Sequence, residues 1–241
     1  MPRPPAPKSA AAKPSGPPIG LIGAVTAFLV AVVAVLVYLA VRGDGTEAAG
    51  GANTLPEGGG IVVNPDAPDD AMTVHVYEDF QCPFCGVLAR SIGADLTARA
   101  EAGEIRLTHT LMSFLDGNLG NDTSSRAANA AVCASDQGVF SPWHEAAYAA
   151  QPEEGAGWTD DDLVGFAEQV GLAGDELSGF ESCVADGTYL DYVADMQEAA
   201  NRDGVTGTPT VVVNGEKLSQ QELTQLQSDP SALEDVLAAR E

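Results

Sequence analysis

Basic residues are scarce in this chain, and their scarcity excludes several classes of protein. The 241 residues include 11 Lys and Arg against 35 Asp and Glu, for a formal net charge of −24. Every acidic residue lies after residue 43, where only seven basic residues accompany them and leave a charge of −28. Such a charge disfavours binding to nucleic acid and to anionic lipid surfaces. Because no D-x-D-x-D-G loop is present, we interpret the acidic residues as a solvated surface and not as a calcium site.

Several catalytic and metal-binding patterns are also absent. The chain has no G-x-S-x-G arrangement and no glycine-rich phosphate loop, so the sequence indicates neither a serine hydrolase nor a nucleotide-binding enzyme. The three histidines, His75, His109 and His144, are scattered along the chain, and we interpret each as structural or exposed. We predict no metal site and no cofactor.

Charged residues are missing altogether from residues 19–41. A helix of this length, at about 1.5 Å per residue, spans a hydrocarbon core of about 30 Å, so we predict a transmembrane anchor. The alternative is a cleaved signal peptide, but its apolar region is usually about 7–15 residues and is followed closely by a small-residue cleavage site. Residues 1–18 are predicted to be a disordered tail, and the glycine-rich residues 42–60 a flexible linker.

The charges that flank the apolar run predict its orientation. Arg3, Lys8 and Lys13 precede it without any acidic residue, whereas Asp44 and Glu47 follow it. The positive-inside rule therefore places the N-terminus in the cytoplasm and the part after the span on the outer side of the cell membrane. That compartment is oxidising, and the chain's four cysteines, an even number, favour disulfides there.

The most informative motif is Cys82-Pro83-Phe84-Cys85. It follows a β-like run at 72–77 and opens a helical pattern, so the first thiol lies near the unpaired N–H groups at the start of a helix. These groups favour thiolate over thiol, and we expect the pKa of Cys82 to fall and its reactivity to rise. The alternatives are half of a zinc site, for which a second CxxC or a His pair is missing, and a purely structural disulfide.

The pattern along the rest of the chain is that of an α/β protein. Apolar residues recur at helical spacing after the cysteine pair, and a β-branched run at 210–213 precedes Asn214-Gly215, a strong hairpin signal. We predict strands at 61–63, 72–77, 104–112, 210–213 and 216–218, and helices at 83–102, within 122–192 and within 219–241.

Two motifs carry a resemblance to a known family. The front motif is DFQCPFC at residues 79–85, and the back motif is VTGTPT at residues 205–210, before the Asn-Gly turn at 214–215. With both motifs, the chain resembles the thioredoxin superfamily and, more narrowly, its DsbA-like branch of thiol–disulfide oxidoreductases. The resemblance implies an α/β thioredoxin fold over residues 61–241 with an inserted all-helical domain at about 120–195.

The resemblance also implies roles for individual residues. Cys82 is expected to be the attacking nucleophile, and Cys85 the buried partner that resolves a mixed disulfide. Pro209 matches a cis-proline of the family that lies against the cysteine pair, although the sequence alone equally allows a trans proline at a turn or strand start. Thr208 is expected to offer its backbone to an extended substrate peptide.

The chain departs from the family pattern at two positions near the cysteines. Pro83 and Phe84 are the expected neighbours of the site, but the strongest oxidases have His in place of Phe84. Because a His stabilises the thiolate, we expect a less extreme oxidant here. Many thioredoxin-like domains also have a buried acid six residues before the first cysteine, where this chain has Val76. We interpret Glu78 and Asp79 as loop carboxylates and as candidates for a proton relay.

The remaining cysteines, Cys133 and Cys183, both fall within the helical insertion. A pairing of this kind also occurs in DsbA-like relatives, and we predict a structural disulfide between them. In an oxidising compartment a disulfide is favoured over the alternative, two free buried thiols that behave as small hydrophobic side chains.

Together these features predict a membrane-anchored, extracytoplasmic thiol–disulfide oxidoreductase that introduces disulfides into exported proteins. Reduced exported proteins are its expected substrates, and the family implies a membrane quinone-linked thiol oxidase that reoxidises it. A reductase or isomerase of the same fold is an alternative, although residues 43–60 are too short and too rich in glycine to form the dimerisation domain that isomerases carry. A non-catalytic peptide-binding module of thioredoxin-like fold is another alternative.

Overall fold

The computed structural model describes residues 59–240. The predicted tail at 1–18, the predicted anchor at 19–41 and nearly all of the predicted linker at 42–60 lie outside the described residues. Within residues 59–240, no helix combines the length and the apolar character that crossing a membrane requires.

A five-stranded sheet in the order β1-β3-β2-β4-β5 organises the described part of the chain. β2 and β3 run parallel, and the other neighbouring strands are antiparallel. The five predicted strands are confirmed, with ends that differ by no more than one residue. The strands are β1 (Ile61–Val62), β2 (Met72–Glu78), β3 (Ile105–Leu111), β4 (Thr210–Val213) and β5 (Glu216–Lys217).

Parallel neighbouring strands need a crossover connection. The crossover from β2 to β3 is helical and begins at the cysteine pair. Pro83 occupies its first turn, where the missing N–H costs nothing. The sequence pattern predicted one uninterrupted α-helix at 83–102, but the structure contains a π-helical segment in its middle. Arg90 and Ser91 of that segment donate hydrogen bonds to the carbonyls of Tyr148 (2.7 Å) and Leu226 (2.5 Å). The crossover consists of α1 (Pro83–Leu88), the π-helical segment (Ala89–Gly93) and α2 (Ala94–Glu101).

Six helices lie between β3 and β4, over a wider range than the predicted helical region of 122–192. Helix α6 starts at a capping box, in which the Thr159 hydroxyl accepts from the Asp162 N–H and the Asp162 carboxylate accepts from the Thr159 N–H. The helices are α3 (Phe114–Leu119), α4 (Thr123–Asp136), α5 (Phe140–Ala149), α6 (Asp160–Gln169), α7 (Gly174–Asp186) and α8 (Leu190–Arg202).

A disulfide joins Cys133 of α4 to Cys183 of α7, with a Cα–Cα distance of 6.0 Å. α4 is rich in alanine and buried along most of its length, so it forms the centre of the helical layer. The disulfide closes a chain segment with a sequence separation of 50 residues. A closed loop of that size contributes on the order of 2–4 kcal/mol to stability.

Two large hydrophobic cores fill most of the described domain, and the cysteine pair belongs to one of them. The first joins the sheet to the crossover helix and to α9 (Gln220–Ser228) and α10 (Ala232–Ala238). The second is built mainly by the helices between β3 and β4, and it includes Phe80, Cys82 and Cys85. The fold therefore places the two thiols where the helical layer covers the end of the sheet.

The predicted Asn-Gly hairpin turn joins β4 to β5. Asn214 and Gly215 both have positive φ, +48° and +82°, as a two-residue turn of this kind requires. The Asn214 side chain accepts from the Thr73 N–H at 2.9 Å and donates to the Arg240 carbonyl at 2.8 Å. The turn thus ties the edge of the sheet to β2 and to the C-terminal helix.

Candidate active site

Cys82 lies at the point where the chain leaves the central strand and enters the crossover helix. It is the residue before α1 and has an extended backbone, with φ −74° and ψ 117°. Its sulfur lies 3.4 Å from the carbonyl oxygen of Thr208. The Thr208–Pro209 peptide bond is cis. The structure therefore brings together the front and back motifs, which are 126 residues apart in the sequence.

The Cys82 thiol has a depressed pKa. The largest effect is the hydrogen bond that the Cys85 thiol donates to its sulfur, and the Thr208 side chain and the backbone N–H groups of Cys85 and Phe84 add to it. Burial opposes these donors, and the balance lowers the pKa of Cys82 from 9.0 to about 6. At neutral pH the reduced site therefore carries a thiolate, the reactive form of a cysteine.

Cys85 has the opposite character. Burial, first, and then the hydrogen bond to Cys82 and the nearby charges of Cys82 and Glu78 raise the pKa of the Cys85 thiol well above its ordinary value. It is 1% exposed, compared with 7% for Cys82. One thiol is thus ionised and near the surface, and the other is protonated and enclosed, which is the asymmetry that stepwise disulfide exchange requires.

Phe84 contributes to this site through its backbone and not through its ring. Its N–H stabilises the Cys82 sulfur, while its side chain is 63% exposed. Beside the cysteine pair, a groove of about 360 Å³ is lined by residues 206–210 and by Lys217, Leu218, Gln220 and Leu223. The groove includes Thr208, whose carbonyl oxygen contacts the Cys82 sulfur.

A buried carboxylate with two imidazoles lies at the end of β2. Glu78 Oε1 is 2.7 Å from His109 Nδ1 and 2.7 Å from His144 Nε2. Burial alone would raise the pKa of Glu78, but the two imidazoles outweigh it and hold the pKa well below its usual range. The interpretation of Glu78 as a loop carboxylate is therefore wrong, because Glu78 is the last residue of a buried strand and is 3% exposed.

The same cluster brings together two of the histidines that are scattered along the sequence. His109 comes from β3 and His144 from α5, and both are buried. His75 is closer to the structural role predicted for it, since its Nε2 lies 2.7 Å from Thr110 Oγ1 and its ring stacks on Tyr77. The ligand atoms of Glu78, His109 and His144 lie within 4.8 Å of one another, so these are donors that a metal ion would use. Their mutual hydrogen bonds already account for the arrangement.

Asp79 is also buried and organises the loop before Cys82. Its carboxylate accepts from the Ser124 hydroxyl at 2.5 Å, the Gln81 N–H at 2.9 Å and the Leu115 N–H at 3.2 Å. Burial raises the pKa of Asp79 to about 6 in spite of these donors. The interpretation of Asp79 as a loop carboxylate missed this role, because two of its three partners, Ser124 and Leu115, come from helices that follow β3.

One signal in the sequence does point to the buried cluster. Val74 and Val76 are buried, and Glu78 continues their alternation along β2. On β3, Leu107 is buried and His109, two residues later, is buried as well. Because alternate residues of a strand share one face, both polar side chains continue an inward-facing row. No comparable signal identified His144, which reaches the cluster only when α5 packs against the sheet.

The ionisation of Cys82 has a measurable pH dependence. We expect the ultraviolet thiolate absorbance of the reduced protein to rise with a midpoint near pH 6. Because this pKa is depressed on folding, its contribution to the stability of the reduced form is complete above about pH 9 and is lost as pH falls through about 6. The Cys82→Ser variant should lack this transition. A wild-type midpoint near pH 9 would contradict the assignment.

Comparisons with known proteins agree with this geometry. The family described as thioredoxin matches residues 59–229. The Na⁺/H⁺ antiporter NhaA 1 of Salinispora arenicola is 32% identical over 163 residues, which is 65% of this chain and 23% of the antiporter. The chain thus spans about a quarter of the length of that relative.

Solved structures show the same fold. DsbA from Mycobacterium tuberculosis in its reduced form matches with a TM-score of 0.56 and 25% identity, over 75% of this chain and 98% of that one. MdbA of Corynebacterium diphtheriae, a thiol-disulfide oxidoreductase, matches with a TM-score of 0.60 and 22% identity, over 76% of this chain and 96% of that one. The chain therefore belongs to the thioredoxin family, and its described domain has the fold of the DsbA-like thiol–disulfide oxidoreductases.

Proposed function

We propose that this protein is an extracytoplasmic, membrane-anchored thiol–disulfide oxidoreductase that introduces disulfides into exported proteins. The observation that carries the proposal is the asymmetry of the cysteine pair. Cys82 has a pKa lowered to about 6, and Cys85 is enclosed with a raised pKa. A low pKa at the first thiol stabilises the reduced form of the pair, and stabilisation of the reduced form makes a disulfide a stronger oxidant.

The oxidation of a substrate proceeds in two exchanges. A substrate thiolate attacks Cys82 Sγ, the bond to Cys85 Sγ breaks, and Cys85 takes up a proton. A second substrate thiolate then attacks the substrate sulfur of the mixed disulfide and releases Cys82 as a thiolate. The substrate loses two electrons and gains a disulfide, and the enzyme retains both electrons as the reduced pair.

The reduced enzyme needs an electron acceptor before another cycle. In this proposal, a membrane quinone-linked thiol oxidase reoxidises the Cys82–Cys85 pair. An anchor at residues 19–41 keeps the domain near such a partner, and the absence of charge in that run supports it. The likeness to part of a sodium/proton antiporter is a precedent for a domain of this family joined to a membrane protein.

A reductase of the same fold is the second candidate, and one observation favours it. Phe84 stands where a stabilising His would make the pair strongly oxidising, and its exposed ring offers the thiolate no charge or hydrogen bond. The direction of electron flow then depends on how far the Cys85 thiol, Thr208 and the backbone N–H donors stabilise the reduced form without a His.

The reduction potential of the Cys82–Cys85 pair distinguishes the two candidates. The full-length chain in detergent is equilibrated with glutathione buffers, and its free thiols are counted by alkylation while the Cys133–Cys183 disulfide stays intact. We expect a value of about −120 to −180 mV, the range of disulfide donors. A value near about −270 mV, as in thioredoxin, overturns the donor role and favours the reductase.

A further inference from the structure

A glutamine of the helical insertion holds the loop that carries Cys82. Gln151 follows helix α5 and is half-buried. Its Nε2 donates to the carbonyl oxygen of Phe80 at 2.9 Å and to that of Cys82 at 2.9 Å. Both protons of one amide group are thus used on two carbonyls of a single short loop, 71 and 69 residues earlier in the chain.

A glycine in the first helix makes room for this amide. A Cβ at Gly86 would lie 1.9 Å from Gln151 Oε1 and 2.8 Å from Arg90 Nη1. Gly86 lies within α1, so its backbone conformation does not itself demand glycine. Glycine is required here because the Gln151 side chain fills the space that a Cβ at position 86 would occupy.

The Cys82 carbonyl is an unusually well-satisfied acceptor. It also accepts from the N–H of Cys85 at 3.1 Å and from that of Gly86 at 3.2 Å. Three donors therefore hold the carbonyl of Cys82, which belongs to the peptide bond between Cys82 and Pro83. Because the sulfur is stabilised by N–H groups of the next turn, its distance from those groups depends on how the Cys82 backbone is held.

The other groups around the amide do not replace it. Arg90 Nη1 lies close to the same space beside Gly86, but it already donates to the Tyr148 carbonyl at 2.7 Å. Asp79 and its partners hold the Gln81 N–H from the opposite side of the loop. Without Gln151, the Phe80 carbonyl loses the side-chain donor that ties it to the insertion.

We propose that Gln151 is a positioning residue that fixes the Cys82 backbone and thereby sets the reduction potential of the Cys82–Cys85 pair. This inference rests on the proposed function of the pair as a redox centre. When the amide is lost, the Cys82 sulfur is held less closely to its backbone donors, and the thiolate is less stable. The reduced form then loses stability relative to the disulfide, and the pair becomes less oxidising.

The test compares variants of the full-length chain by reduction potential in glutathione buffers and by ultraviolet titration of the Cys82 thiolate. In Gln151→Ala we expect the equilibrium with glutathione to shift at least about fivefold toward the disulfide, and the pKa of Cys82 to rise. Gln151→Glu keeps the shape of the side chain and replaces the donor by an acceptor, so it should shift both quantities in the same direction.

Gly86→Ala provides the decisive comparison. Its new Cβ displaces the amide, so this variant should reproduce the shift of Gln151→Ala, and the double variant should shift no further than either single variant. Because alanine suits a helix better than glycine, the double variant should unfold at a temperature no lower than that of Gln151→Ala. Gln197→Ala removes the acceptor of the Ser113 N–H, a hydrogen bond that involves neither the cysteines nor Gln151, and serves as the control with an unchanged potential.

Two results overturn the proposal. One is an unchanged potential and Cys82 pKa in Gln151→Ala and Gln151→Glu with a lowered unfolding temperature, which indicates a merely structural contact. The other is additive shifts in the Gly86→Ala and Gln151→Ala pair. The proposed role as a disulfide donor is tested separately, by the reduction potential of the wild-type chain. The role of Gln151 is tested by the change in that potential between the wild-type chain and its variants.

Discussion

We expect the Cys82→Ser variant to oxidise a dithiol peptide at least about a thousandfold more slowly than the wild-type chain. Serine has nearly the shape of cysteine, but its hydroxyl cannot form the disulfide that the exchange requires. Cys82 is the thiol with the lowered pKa, and Cys85 is enclosed behind it. The rate is measured as loss of free thiols in the peptide when the oxidised enzyme is supplied in excess.

The Cys85→Ser variant is the matched comparison. It keeps the Cys82 thiolate but lacks the thiol that resolves the intermediate, so incubation with an oxidised peptide should yield a covalent adduct. That adduct should run as a larger species under non-reducing conditions and disappear on reduction. A Cys82→Ser variant that retains a tenth of the wild-type rate would assign the exchange to another cysteine. Retention of peptide binding by Cys82→Ser, with no oxidation even by the wild type, would favour a non-catalytic binding module.

The second large effect concerns the buried carboxylate. We expect Glu78→Ala to lower the free energy of unfolding by about 3–5 kcal/mol, because it leaves two buried imidazoles without their shared acceptor. Glu78→Gln retains an oxygen that accepts a hydrogen bond and loses the charge, so its cost should be smaller. Denaturant unfolding of the reduced and oxidised chains measures both.

The pH dependence of stability separates the charge of Glu78 from its packing. The pKa of Glu78 is held below its usual range in the folded protein. The ionised Glu78 therefore stabilises the folded protein fully above its pKa in the unfolded chain, about 4.3. This stabilisation is lost as pH falls toward its lower pKa in the folded protein. Glu78→Gln should lack this loss at acidic pH. The exposed Glu198, paired with Arg202 at 3.7 Å, is the control, and Glu198→Ala should change stability by less than about 0.5 kcal/mol. A cost below about 1 kcal/mol for Glu78→Ala contradicts the argument.

The local features of this domain were predictable from the sequence. Short β-like runs and one alternating segment placed the five strands, helical spacing placed the crossover after the cysteines, and Asn214-Gly215 predicted the hairpin turn. The position of Cys82 just before a helix predicted a lowered pKa, because all of the donors concerned except Thr208 lie within the next three residues. Neighbours along the chain decide each of these properties, so the sequence alone contains the required information.

The partners of the buried polar groups were decided by tertiary structure. His109 and His144 reach Glu78 from 31 and 66 residues away, and the two contacts require β3 to pair with β2 and α5 to pack over the sheet. Gln151 meets the Cys82 carbonyl only because the insertion covers the end of the crossover helix. By itself the sequence determined the redox motif, the strands and the first turn of the active-site helix. Only the packing of distant elements decided which acid, imidazoles and amide surround the two thiols, since local periodicity carries no information about partners so far apart.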